Sequence, residues 1–152
     1  MRGSNPHPTH QFIIVMKPYK QFKSFQLRWR EKMYQGSTHY LTRWTLIVFG
    51  YSIRLHHWIA SDVGPHFHDH PFSFISILFK GHYTNHTPTG SKFIKAPSVW
   101  WGSGEKQHRL EIPETGAWTI LLCSRPYRKW GFWVNNHLWR PLRYFHKYKP
   151  RT

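Results

Sequence analysis

Short runs of alternating apolar and polar residues follow one another from residue 41 onward, and they predict a β-rich domain. Turn-forming residues separate the runs, for example at 49–51, 61–65 and 88–90. Several short strands at this spacing are typical of a β-sandwich or barrel. We therefore predict an all-β fold. The predicted strands lie near 43–49, 51–59, 72–79, 92–95, 107–112, 117–123 and 130–134.

Residues 17–35 follow a different period. Phe22, Phe25, Trp29 and Met33 recur at spacings of three and four residues, which is the pattern of one face of an amphipathic helix. The intervening positions are largely basic or polar. We predict a helix that either packs on the domain or presents a basic face to an anion.

The net charge of +16 is concentrated at the two ends of the chain. Residues 1–40 hold seven basic residues against one acidic residue, and residues 125–152 hold eight basic residues and no acidic one. Residues 55–124 hold five of each. Basic ends suit an anionic partner such as a nucleotide or nucleic acid, although a solvated basic surface explains them equally well.

These patterns divide the chain into three predicted parts. They are a basic, partly helical extension over 1–40, a β-barrel over 41–135 and a basic aromatic tail over 136–152, of which residues 140–152 are expected to be extended. Cys123 lies in an apolar run and is expected to be a buried thiol. The sequence has no apolar run of transmembrane length and no signal segment, so the cytoplasm is the expected compartment.

Three histidines fall within five residues at 66–70. On a strand, residues i and i+2 share a face, so His68 and His70 can point toward one metal ion. His108, at the start of another predicted strand, is the best candidate for a third ligand. Three protein ligands leave positions open for water or substrate. Imidazole suits iron, zinc, copper and nickel, so the donors alone do not identify the metal.

The spacing around this histidine pair resembles the first motif of the cupin superfamily. His68-x-His70 is followed by Gly81 at the motif's spacing, although Phe74 stands where the motif has glutamate. The segment 97–112 resembles the second motif, with His108 as its histidine. A group of small cupin-like proteins from bacteria and phages shows a similar wider pattern. The matching segments are 42–44, 54–58, 68–71, 108–110 and 128–132.

The resemblance implies a double-stranded β-helix, or jelly roll, with a divalent metal ion near one mouth. A three-histidine set without a carboxylate resembles that of cupin thiol dioxygenases. Fe(II) is therefore favoured over zinc or nickel, and an iron-dependent dioxygenase is the implied enzyme. A 2-oxoglutarate oxygenase is disfavoured because its His-x-Asp or His-x-Glu pair is missing. If Phe74 is ordinary core, the fold would carry a weak metal site or none.

Arg54 and His56 lie on one face of the predicted strand 51–59. A cation and an imidazole inside a barrel are costly unless they are paired or line a ligand pocket. We therefore predict that Arg54 binds substrate and that His56 is a catalytic acid or base; the alternative is a face with satisfied partners or solvent. His66 is predicted to line the mouth and contact substrate, and Asp69 to face away from the metal.

Two functions are consistent with the sequence. The first is a metal-dependent cupin enzyme, of the iron oxygenase type, acting on a small anionic substrate. The second is a non-catalytic cupin module that binds a nucleotide or nucleic acid through its basic ends. Either is compatible with a homodimer, and a phage-encoded protein would act in the host cytoplasm. Serine and cysteine triad hydrolysis is disfavoured because the sequence lacks the nucleophile motifs.

Overall fold

A computed structural model describes residues 25–35, 38–62 and 64–147. In these ranges the chain forms eleven strands and one short helix. The strands are β1 (Phe25–Gln35), β2 (Thr38–Val48), β3 (Tyr51–Trp58), β4 (Phe67–His68), β5 (Phe74–Thr87), β6 (Gly90–Lys95), β7 (Ser98–Gly102), β8 (Arg109–Glu111), β9 (Ala117–Cys123), β10 (Phe132–Val134) and β11 (His137–Trp139), and the helix is α1 (Pro141–Lys147).

The main sheet is antiparallel and has the order β1-β2-β3-β9-β5-β6, with β7 and β8 also paired to β5. The long strand β5 joins the two halves of the fold. Its first half pairs with β7 and β9, and its second half pairs with β6 and β8. A smaller sheet of order β11-β10-β4 lies beside it. The predicted all-β jelly roll is confirmed, and its strands pair antiparallel.

Inward side chains of the main sheet form the core. Leu78 and Tyr83, both on β5, are 0% and 1% exposed. Fully burying a large apolar side chain stabilises a fold by about 1.5–3 kcal/mol. The cluster around these two residues also contains Leu41, Trp58, Ile94, Leu110, Ile112 and Ala117, and a second cluster contains Phe72, Phe74, Leu121 and Cys123. The prediction that Cys123 is buried is confirmed.

Gly81 lies where β5 passes closest to the turn before β9. Its φ of +86° is in the left-handed region, and a Cβ there would lie 2.5 Å from the carbonyl oxygen of Gly116. Glycine is thus required both for the backbone conformation and for the close approach. This gives a physical reason for the glycine that follows the histidine pair.

Each of the seven predicted strands is found, but six elements differ from the prediction, and two of them, β1 and α1, are described below. β4, β7 and β11 were not predicted, and β5 extends to Thr87 rather than ending at residue 79. The second half of β5 is rich in polar residues, which masked its alternation.

The helix predicted over 17–35 is wrong for residues 25–35, which form the strand β1. Pairing with β2 decides the structure here, because tertiary hydrogen bonds override a weak local preference. The register of this pair shifts between Arg28 and Glu31, where Arg30 has a φ of 49°. Spacings of four, as between Phe25, Trp29 and Met33, place residues on one face in a helix and in a regular strand alike, so the pattern fitted both. Residues 17–24 lie outside the described residues.

The extended tail predicted from residue 140 is also wrong, because residues 141–147 form α1. Pro141 is well placed at the first turn of a helix, where its fixed φ fits and its missing N–H costs nothing. Tyr144 is fully buried, and its ring stacks on Phe132 at 3.9 Å between centroids. The division of the chain into three parts stays a prediction, although β2 runs across residue 40. No helix in the described part of the chain is long and apolar enough to cross a membrane.

Candidate metal centre

The structure brings the three predicted histidines together inside the jelly roll. One ring nitrogen from each of His68, His70 and His108 can be chosen so that all three lie within 4.8 Å of one another. Their ring centroids are 4.8 to 5.1 Å apart. His68 lies on β4, His70 follows it, and His108 immediately precedes β8.

Backbone hydrogen bonds hold the two distant segments in register. His68 and His108 form an antiparallel β-bridge, in which each N–H donates to the other's carbonyl at 2.9 Å. The N–H of His70 donates to the carbonyl of Gly104, also at 2.9 Å. These bonds place the three Cα atoms without help from a ligand.

Asp69 points away from the three histidines, as the alternation along a strand predicts. It is 0% exposed, and its carboxylate accepts hydrogen bonds from the N–H of Gly131 at 2.8 Å and from Trp133 Nε1 at 3.0 Å. Arg128 also donates to it, at 2.8 Å. The carboxylate therefore fixes the segment that carries His68 and His70 to the strand β10 and the loop before it.

The distances fit a shared divalent ion. His70 Nε2 and His108 Nε2 are 2.8 Å apart. Two imidazole nitrogens bound to one ion at about 2.1 Å are separated by roughly 3 to 3.4 Å. A small movement of the side chains would bring all three nitrogens into a common coordination sphere, and the set contains no carboxylate.

A hydrogen bond orients one of the three rings. His108 Nδ1 lies 3.1 Å from Asn85 Oδ1, so Nδ1 carries the proton and Nε2 faces the other histidines. Such a bond fixes the tautomer and raises the basicity of a metal-binding imidazole. His68 Nδ1 lies 3.7 Å from Asp62 Oδ2, beyond hydrogen-bond distance, and Asp62 accepts a hydrogen bond from the N–H of Leu110 instead.

Burial lowers the pKa of His70 and His108 well below the ordinary value of 6.5. Desolvation is the largest cause for both, and the neighbouring His68 adds to it. Both rings are therefore neutral at pH 7, with a lone pair available. This is the protonation state that metal binding requires.

Aromatic rings pack against the three histidines. Phe74 stands where the cupin motif has glutamate, and its ring lies 5.0 Å from His70 and 5.1 Å from Trp100. Trp100 in turn lies 5.8 Å from His108. Phe74 is 3% exposed, so the position that would hold a carboxylate is instead apolar core.

Arg54 and His56 lie on the inner face of β3, as the alternation predicts. His56 is 6% exposed, and burial lowers its pKa well below 6.5. The Arg54 guanidinium lies 4.4 Å from the centre of the Phe72 ring, and burial lowers its pKa to about 10. The roles of these two residues in catalysis and substrate binding stay predictions.

His66 lies apart from this group. Its Nδ1 is 3.1 Å from the hydroxyl of Tyr144, and the two rings meet edge to face. The residue therefore links the start of β4 to α1, and its predicted contact with substrate stays a prediction.

Asn85 was not predicted as part of the site. It is buried on β5, where asparagine is an unfavourable residue for a strand. The sequence signal that could have identified Asn85 is its position, since it is an asparagine at an inward-facing place in an alternating run. Its hydrogen bond with His108 could not be predicted, because it depends on the pairing of β5 with β8.

The jelly-roll fold is similar to that of several solved structures, all of them below 25% identity. Ethanolamine utilization protein Q of Salmonella typhimurium superposes with a TM-score of 0.51 at 10% identity, over 64% of this chain and 80% of that one. HppE in its FeII form gives 0.53 at 7% identity, over 72% of this chain and 62% of HppE, less than two thirds of its length. An RmlC-like cupin of Shewanella frigidimarina gives 0.48 at 18% identity, over 74% and 94%.

No protein-family model matches the sequence, and no curated protein matches it. At such low identities the structural matches establish the fold and leave the reaction to be argued from the site.

Proposed function

We propose that this protein is a metal-dependent cupin enzyme of the iron oxygenase type, with His68, His70 and His108 as ligands of Fe(II). The observation that carries the proposal is the set of three buried or half-buried imidazoles whose nitrogens lie within 4.8 Å of one another. Zinc and nickel suit the same donors. HppE, described in its FeII form, adds a precedent for iron in this fold.

A bound divalent ion would supply a Lewis acid and, as Fe(II), a site for dioxygen. The residues around it divide the remaining tasks. Phe74 and Trp100 exclude water from one side of the histidines. Arg54 orients an anionic substrate. Burial keeps the His56 ring neutral, so one ring nitrogen has a lone pair that can accept a hydrogen bond or a proton, and the lowered pKa makes the ring a weak base.

Anaerobic titration with Fe(II), Zn(II) and Ni(II), followed by equilibrium dialysis and elemental analysis, tests the metal site. We expect about one ion bound per chain. Oxygen consumption by the Fe(II) form, measured with an oxygen electrode against the Zn(II) form, tests the oxygenase class. Failure to bind any of the three ions at micromolar concentration would refute the proposal.

The alternative, a non-catalytic module for a nucleotide or nucleic acid, draws less support from the described residues. The basic segments 1–24 and 148–152 lie outside them. Near the described end of the chain, Arg143 and Lys147 lie 4.3 and 5.1 Å from the ring of Trp139. These cations already occupy the aromatic surface on which a base would stack.

We also propose a homodimer formed through an outer apolar face of the main sheet. Six apolar residues on six neighbouring strands are in register across this face, and a second row of five runs parallel to it. The first row is Leu27, Leu46, Ile53, Leu122, Ile75 and Trp101, and the second is Trp44, Leu55, Ile120, Ile77 and Val99.

The exposed area of this face is sufficient for a stable dimer. Trp101 is 64% exposed, Val99 66% and Ile53 52%. With their exposed apolar neighbours they present on the order of 900 Å², above the largest patch of a typical monomer and close to one partner's share of a standard interface. The two rows contain no charged residue, so two copies can stack sheet on sheet.

Light scattering coupled to gel filtration tests the dimer. We expect a particle of twice the chain mass for the wild-type protein and a monomer for Ile53→Lys, because a buried lysine would lack a partner. Leu142→Lys is the matched control, since Leu142 is 80% exposed on α1 and away from the face. If the wild-type protein is still a monomer at concentrations on the order of 100 micromolar, this interface is excluded.

A further inference from the structure

A block of four polar residues lies on the inner face of β2 and β3. Arg43 pairs with His56 across the two strands, and Thr45 pairs with Arg54. Residues two apart on a strand share a face, so all four side chains point the same way. Thr45 is 3% exposed and His56 is 6% exposed. The shared face is therefore the interior of the jelly roll.

Three polar atoms of this block make no hydrogen bond within the described part of the chain. They are Thr45 Oγ1 and both ring nitrogens of His56. Buried polar atoms of native proteins are nearly always satisfied, because an unsatisfied one costs about 1–3 kcal/mol. Three such atoms in adjacent positions indicate that a polar group from outside the chain completes them.

The block also carries an excess of positive charge. Arg43 Nε donates to Glu31 at 3.0 Å, and Arg28 lies 3.9 Å from the same carboxylate. Arg54 donates to Ser52 Oγ at 3.0 Å, but no carboxylate among residues 25–35, 38–62 and 64–147 pairs with it. Glu31 thus pairs with two guanidinium groups, and the Arg54 guanidinium has no carboxylate partner among the described residues. An uncompensated buried cation is costly, and an anionic ligand would remove that cost.

The block lies one aromatic ring away from the three histidines. The Phe72 ring is 4.4 Å from the Arg54 guanidinium and its centroid is 5.8 Å from that of His70. Its position is consistent with a small molecule whose charged end meets Arg54 while its other end faces the histidines. A small molecule is long enough to reach from the Arg54 guanidinium to the three histidines.

We infer that Arg54, Thr45 and His56 form an anion subsite that binds the carboxylate of a small organic acid. The inference rests on the proposed function, since it assigns a substrate class to the same site. The guanidinium offers a fork of N–H donors, the Thr45 hydroxyl offers a further donor, and His56 offers one N–H in its neutral form. One unpaired cation matches one negative charge, which favours a carboxylate over a doubly charged phosphate.

Binding of sodium acetate and of inorganic phosphate to the full-length protein tests the subsite. Isothermal titration is carried out at constant ionic strength, and it is repeated on His108→Ala so that an anion bound directly to a metal ion is excluded. We expect saturable acetate binding in both proteins. Arg54→Gln should weaken it about tenfold or more, because a charge-assisted hydrogen bond is lost.

Matched variants separate the subsite from general charge effects. Arg54→Lys keeps the charge but loses the fork, and it should restore part of the affinity. Arg143→Gln removes a cation from exposed α1 and should leave acetate binding unchanged. Circular dichroism confirms that each variant is folded.

Each outcome has one meaning. Absence of saturable acetate binding, or equal binding in Arg54→Gln and wild type, overturns the subsite. Tighter binding of phosphate than of acetate at the same residues overturns the carboxylate class. Elemental analysis of the same preparations separates the two proposals. Wild-type protein that binds acetate but takes up no added Fe(II), Zn(II) or Ni(II) refutes the enzyme and keeps the subsite. Wild-type protein that takes up one of these ions but binds no acetate refutes the subsite and keeps the metal site.

Discussion

Replacing His108 with alanine should remove the metal ion from the protein. The side chain supplies one of three nitrogens, and the two that remain form only a weak site. We expect the affinity for Fe(II) to fall by more than about 100-fold, since even loss of a residue that orients a ligand costs about 10–100-fold. Elemental analysis of purified protein and equilibrium dialysis with Fe(II) measure the change.

Two further variants give this experiment a graded scale. Asn85→Ala removes the acceptor 3.1 Å from His108 Nδ1 and should cost about 10–100-fold. His137→Ala removes an exposed histidine of β11 and should leave the metal content unchanged. Full metal occupancy in His108→Ala would contradict the assignment of this ligand.

Replacing Asp69 with alanine should destabilise the fold by about 3 kcal/mol or more. The change leaves the N–H groups of Gly131 and Trp133 without their acceptor and Arg128 without its buried partner. For a chain of this size, the melting temperature should fall by roughly 10 °C. Differential scanning calorimetry measures this shift.

A second partner of Arg128 provides the control. Glu105 Oε1 lies 3.7 Å from Arg128 Nε and is exposed. Because exposed ion pairs contribute little, Glu105→Ala should shift the melting temperature by about 1 °C at most. An equal shift in the two variants would show that the Asp69 carboxylate has no special structural role.

The strands and the pair His68 and His70 could be predicted from the sequence because both depend on short-range periodicity, whereas His108 was predicted from its place at the start of another strand and from the resemblance to the second cupin motif. Alternation with a period of two located β2, β3 and β9, and it placed His68 and His70 on one face. It also placed Arg54 and His56 inside. None of these inferences required knowledge of which strands are neighbours.

The features that failed are those that depend on neighbours. β1 was predicted as a helix because apolar residues four apart fit one face of a helix as well as one face of a strand, and only pairing with β2 decides between the two. Tyr144 packs on Phe132 from α1, a contact that residues 140–147 alone do not reveal. The unsatisfied atoms of Thr45 and His56 likewise depend on what the opposite strands place beside them.

The β-bridge between His68 and His108 has a consequence for the proposed metal site. Paired backbone hydrogen bonds hold these two ligand positions without an ion, so the site would be preorganised and the fold would not depend on the metal. The ion that binds would then be decided by the supply of metals around the folded protein.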